Sequence, residues 1–155
     1  MKLLEEFYCL KDGYSIPDKY LVAEIKQWRF PQDYQKVVWA MSSCQCIKEA
    51  IRTVETYLQP QNKSLPKVRQ PCPSDYHPEL DFTPYLQDDE ISLYQSYISI
   101  LYWIVELGRL DIYVHTSLLS SYMMHPRIGC MEALYHIFGY LKFMIVLLWY
   151  LITNI

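Results

Sequence analysis

The chain has 155 residues, 52% of them hydrophobic and 20% charged, with a formal net charge of -3. That composition has room for one compact core and excludes intrinsic disorder along the whole chain. Four glycines and nine prolines exclude low-complexity and collagen-like sequence, while 15 Tyr and 4 Trp supply large rings that bury well when their polar tips find partners.

Charge is unevenly spread. Residues 1–70 carry +3 and residues 71–155 carry -6, so any contact with a polyanion belongs to the first half. Glu5 and Glu6 follow the initiator with no apolar run behind them, which argues against a secretory signal. The five cysteines (Cys9, Cys44, Cys46, Cys72, Cys130) are therefore expected to stay reduced in an intracellular protein that is not secreted.

Taken in chain order, residues 2–8 read as the end of a helix and Leu10-Lys11-Asp12-Gly13 as a turn. Tyr20 to Ile25 and Val37 to Met41 are β-prone runs with Phe30-Pro31-Gln32-Asp33 between them, which predicts a β-hairpin with a long connection. Ser42 and Ser43 then stand where an N-cap belongs. Ile47, Ala50, Ile51, Val54 and Leu58 recur at helical spacing, predicting a helix over 44–58 whose other face carries Lys48, Glu49, Arg52 and Glu55.

Six of the nine prolines fall between Gln59 and Pro84, which forbids helix and most ladder pairing. Residues 59–90 thus read as a proline-rich, acidic linker or strap crossing between subdomains. Helical pattern resumes at Ile91, with Leu93, Tyr97, Ile100, Leu101 and Ile104 as its stripe, and ends near Gly108. Asp111 is placed to cap a further helix with Ile112, Leu118, Leu119 and Tyr122 inward, stopping before His125-Pro126. A last helix from about Gly129 groups Ala133, Leu134, Ile137, Phe138 and Leu141.

The fold class expected is α+β and mostly α, a β-hairpin followed by helices. Its divisions are residues 1–58, the linker 59–90, a helical region 91–142 and an apolar tail 143–155. The uncharged tail gives about 20 Å of helix against an apolar bilayer core of about 30 Å, short of a span by itself. A membrane or partner-helix contact through 143–155 is the alternative reading of that tail.

Chemistry-bearing patterns are sparse. Asp88-Asp89-Glu90 lies at a helix start, where acids favour the first-turn dipole. Cys44-Gln45-Cys46 lacks the second ligand pair of a structural zinc site, and His77, His115, His125 and His136 have no metal-ligand spacing. The glycines (Gly13, Gly108, Gly129, Gly139) form no phosphate loop, and no nucleophile motif is present. The catalytic and metal residue sets are both expected to be empty, with no cofactor.

Several ordered stretches resemble the C-terminal part of the reverse transcriptase of copia-type retrotransposon polyproteins. These are Leu3-Leu4-Glu5-Glu6-Phe7 with Leu10-Lys11, Tyr20-Leu21-Val22-Ala23-Glu24-Ile25, and Trp39-Ala40-Met41-Ser42-Ser43 leading into Ile47-Lys48-Glu49-Ala50-Ile51. Tyr76-His77-Pro78-Glu79-Leu80-Asp81, Tyr94-Gln95-Ser96-Tyr97-Ile98 with Trp103-Ile104-Val105, and Leu107 to Ile112 follow in the family's order. Pro126-Arg127, Ala133-Leu134 and Phe138 to Lys142 complete the run.

The resemblance implies the palm end, thumb and connecting helices of a right-hand polymerase. The primer-grip-like residues would be Tyr20, Leu21, Val22 and Glu24, and the candidates for nucleic-acid backbone contact are Lys48 and Arg52, one turn apart. Val22 stands where the family has glycine, and its branched side chain crowds the backbone approach that glycine allows. The family's Tyr-x-Asp-Asp turn and its ribonuclease H carboxylates fall outside these residues, and its magnesium would be held there. The chain is therefore expected to be a non-enzymatic fragment whose partner, in the parent, is template-primer.

Overall fold

Helices dominate the chain, and apolar periodicity explains where each one lies. The computed structural model describes residues 19–20, 23–30, 33–73 and 76–153. The expected helix over 2–8 and turn over 10–13 lie outside them.

Three antiparallel strands come first, β1 (Lys19–Tyr20), β2 (Ala23–Phe30) and β3 (Asp33–Ser42), in that order across the sheet. The layout differs from the one the sequence suggested. The Tyr20–Ile25 run is not one strand, because Tyr20 lies opposite Ala23 and Lys19 opposite Glu24. Nor is there a long connection, since β2 continues to Phe30 and pairs with Asp33 at the start of β3. Gln27 and Arg29 within β2 did not end it because they occupy a solvent face. Gln27 lies opposite Trp39 and Arg29 opposite Val37, all four exposed, and cross-strand pairing outweighs their modest β-propensity.

Helix α1 (Cys44–Leu58) buries Ile47, Ala50, Ile51, Val54 and Leu58, the five residues its spacing puts on one face. Ser43 occupies the N-cap position without a side-chain cap, and Ser42 Oγ instead accepts the Cys44 N–H at 3.3 Å. A 3₁₀ turn (Gln59–Gln61) ends at Asn62, whose φ of 55° reverses the chain.

The proline-rich strap that follows lies along the last helix. Leu65, Pro78 and Leu86 are buried, and the Gln70 carbonyl accepts from His136 Nε2 at 3.0 Å. Tyr85 bridges Arg127, the Leu86 N–H donates to the Pro126 carbonyl at 3.0 Å, and the Ile128 N–H donates to the Pro84 carbonyl at 3.0 Å. Backbone groups that prolines cannot pair in a ladder are thus met piecemeal by the next segment.

Helix α2 (Asp88–Glu106) starts three residues before Ile91 because Gln87 and Glu90 form a reciprocal capping box, with the Gln87 N–H donating to Glu90 Oε2 at 3.1 Å. It stops before Gly108, which takes a φ of 104°. Asp111 does not cap the next helix. It sits in a 3₁₀ turn (Leu110–Ile112), and α3 (Tyr113–Ser120) follows without a side-chain cap. The inward face of α3 also differs from expectation: Leu118 is exposed and Tyr122 half-buried, while Thr116 is fully buried. Thr116 can be buried because its hydroxyl donates to the Ile112 carbonyl at 2.9 Å.

Helix α4 (Ile128–Thr153) continues through the expected tail boundary. Ala133, Leu134, Ile137, Phe138 and Leu141 are all buried on it. One cluster joins α1, the strap, α2, α3 and α4. At its centre Tyr94, Tyr97 and Phe138 are almost fully buried; the Tyr94 hydroxyl donates to the Leu119 carbonyl at 2.9 Å, and Tyr97 meets Phe138 edge to face at 5.7 Å.

Candidate functional site

The outward face of α1 holds the two residues singled out for backbone contact. Lys48 is half-buried and Arg52 exposed, one helical turn apart. On the same helix Glu55 forms an ion pair with Lys142 of α4, so that acid faces α4 and not the solvent beside Arg52. Of the primer-grip-like set, Tyr20 lies in β1 and Glu24 in β2, on opposite sides of a strand reversal. Leu21 and Val22 lie outside the described residues.

Asp88, Asp89 and Glu90 occupy the first turn of α2. There the partial positive charge of the helix start stabilises acids. The histidines are dispersed. His77 pairs with Glu79 at 3.0 Å, His125 sits edge-on to Tyr85, and His136 bonds the strap. Among the described residues no group of three or more histidine, cysteine or carboxylate side chains could hold a metal. Cys46 and Cys72 have thiol pKa values raised by burial, which keeps them protonated and weakly nucleophilic.

Two polar clusters that the sequence did not mark emerge from the packing. One is a clamp between α2, α3 and α4. Arg109 donates to both Asp111 oxygens, at 2.9 and 2.7 Å, and the Tyr140 hydroxyl donates to Asp111 Oδ2 at 2.8 Å. The Arg109 hydrogen bonds hold the Asp111 carboxyl below the usual range against the opposing effect of burial, and Tyr140 adds to them. Burial works most strongly against the Arg109 charge, but its hydrogen bonds to Asp111, the charge of that carboxylate and the contact with Tyr140 together outweigh burial and raise the guanidinium pKa. The only sequence signal of this clamp is Asp111 after Gly108, a pattern shared with helix caps.

The other cluster is an open cleft of about 520 Å³ between the strap and one face of α4. Tyr76, Leu80 and Asp81 line it from the strap, and Glu132, Ala133 and His136 from the helix. These residues are some fifty positions apart in the chain, so local spacing gave no sign of them. No family model, curated protein or solved structure matches the chain.

His115 on α3 adds a pH response. Burial, and then the nearby His136, lower its pKa below the ordinary histidine value. A histidine depressed in the folded state stabilises the fold above its unfolded pKa of about 6.5 and loses that contribution as pH falls through the lower, folded value. Thermal stability should therefore decline from about pH 6.5 downward. The carboxyl of Asp111, also depressed, extends the loss below about pH 4. His115→Gln should flatten the upper part of the profile; an unchanged profile would take His115 out of the account.

Proposed function

We propose that the chain is a fragment of a copia-type reverse transcriptase, the palm end with thumb and connecting helices, that binds nucleic-acid backbone without polymerising. The observation that carries the reading is the ordered series of stretches from Leu3 to Lys142 that resembles that family. The mostly helical architecture after the strands is in keeping with it. The 155 residues contain no Tyr-x-Asp-Asp turn, the element that would hold the two magnesium ions for phosphoryl transfer in the parent.

In this reading Lys48 and Arg52 approach successive phosphates of template-primer, and the strands take the place of the family's primer grip. Crowding at Val22 weakens the grip, which leaves α1 as the main contact.

Binding of the full chain to an RNA–DNA duplex, measured across a salt series, tests it. Affinity should fall steeply with salt, and the Lys48→Ala, Arg52→Ala double variant should reduce the logarithmic slope by roughly 2. An unchanged slope removes both residues from the contact. Magnesium-dependent, template-directed primer extension by the purified chain would overturn the non-polymerising part.

A second reading rests on the continuity of α4 beyond Lys142. A membrane-associated or helix-binding protein would use the uncharged run from Phe143 onward. No helix is long and apolar enough to cross a membrane among the described residues. Carbonate-resistant pelleting that is lost on deleting residues 143–155 would favour this reading over the first.

A further inference from the structure

We propose that the outward face of α3 is a self-association surface, on which two copies of the chain pair this helix antiparallel in a weak, reversible dimer. Leu110 is 73% exposed, Val114 67%, Tyr113 50% and Leu118 37%, while Ile112, Thr116 and Leu119 on the opposite face are buried. Helical spacing puts Leu110, Tyr113, Val114, Ser117, Leu118 and Ser121 on one stripe, three and four residues apart. A surface helix ordinarily turns charged and polar residues outward. Here both faces carry large apolar side chains, and among the described residues only the inner face packs on the core.

Charge selects the class of partner. From Ile112 to Met124 the sequence has no Asp, Glu, Lys or Arg, and at the start of the stripe Arg109 and Asp111 neutralise each other at 2.7 Å. A phosphate backbone or an anionic lipid surface is held by cations that this face lacks. What the stripe can meet is another neutral, apolar protein face.

The order of sizes along the stripe selects a second copy. The large residues Leu110, Tyr113 and Val114 stand at its N-terminal end, and the serines Ser117 and Ser121 follow towards its C-terminal end. Turned antiparallel about a two-fold axis, the stripe sets Leu110 against the partner's Ser121, Val114 against the partner's Ser117, and Tyr113 beside the partner's Leu118. Large side chains thus meet small ones on both sides of the axis. The Ser121 hydroxyl is turned back on the Ser117 carbonyl at 3.4 Å, so it needs no partner across the seam. A two-fold contact of this kind closes at two copies.

Size sets the strength. At about 150–250 Å² for a whole side chain of the larger kind, the stripe leaves roughly 450 Å² open per copy, the extent of an apolar patch that commonly marks a contact site. Two copies bury roughly 900 Å² together, short of the about 1,200–2,000 Å² of stable complexes and in the range of transient ones. The dissociation constant should therefore be on the order of 10–100 μM.

The experiment is sedimentation equilibrium of the full chain from about 2 to 200 μM, spanning that constant. The mean mass should rise from 18.6 kDa towards twice that value, and high salt should not reverse the rise, because no charge pair holds the seam. Val114→Lys, at an exposed position, should keep the helical circular dichroism and weaken association at least tenfold. Ser121→Leu is the sharper variant. It adds apolar surface and so would strengthen unspecific sticking, but against the partner's Leu110 it should weaken the dimer about tenfold. A mass of one chain at every concentration, growth beyond two copies, no effect of Val114→Lys, or tighter association of Ser121→Leu would each overturn the proposal.

Discussion

Gly139→Ala should destabilise the protein by about 1–3 kcal/mol, the range for forcing extra atoms into a packed site. Helix propensity alone gives the opposite sign, because alanine is better than glycine in a helix interior by roughly 1 kcal/mol. The strap decides between them. An added Cβ would run into the Pro66 carbonyl oxygen and sit 3.1 Å from its Cγ. The carbonyl cannot swing away cheaply, because Leu65 beside it is buried in the core cluster and Gln70 is held by His136. Urea unfolding of the variant gives the sign directly; a gain in stability would mean that the strap does not seat on α4.

Phe138→Ala should cost about 3–5 kcal/mol, a large share of the roughly 5–15 kcal/mol that holds an ordinary domain together. Phe138 is 0% exposed and stands edge-on to Tyr97 at an interplanar angle of 70°. Removing the ring leaves a cavity between α2 and α4 that rigid helices cannot close. Phe138→Leu keeps most of the volume and should lose less than about 1.5 kcal/mol. Denaturant midpoints of the two variants separate these outcomes, and a loss below about 1 kcal/mol for the alanine would show that the site collapses around the gap.

Which parts of the fold the sequence disclosed depends on how local the cause was. The limits of α1 follow from five apolar residues at helical spacing, and the buried face of α4 from five more. The start of α2 was misplaced by three residues because the capping box at Gln87 and Glu90 precedes the apolar stripe used to find the helix. Asp111 carries a sequence signature of a cap, yet Arg109 and Tyr140 claim its carboxylate, and Tyr140 is brought there only by the tertiary fold. The strands were misjudged at both ends, since β-propensity sees neither the reversal between Tyr20 and Ala23 nor the solvent face that tolerates Gln27 and Arg29. The placement of Lys48 and Arg52 one turn apart on one helix follows from their spacing. The cleft does not follow from spacing, because Asp81 of the strap and Glu132 of α4 come to line it together only after the strap folds back.

The placement of α4 bears on how the molecule is made. It supplies the wall against which α1, the strap and α2 bury their apolar faces, and its Lys142 reaches back 87 positions to Glu55. At translation rates of 5–20 residues per second, α1 exists for roughly 4–17 s before that part of α4 has been synthesised. Throughout that interval Ile47, Ile51 and Val54 lack α4 to lie against, so the nascent chain is a natural client for chaperones that shield apolar helix faces. Closure must then bring distant segments together at once, which makes the final collapse slow for a protein so rich in helix.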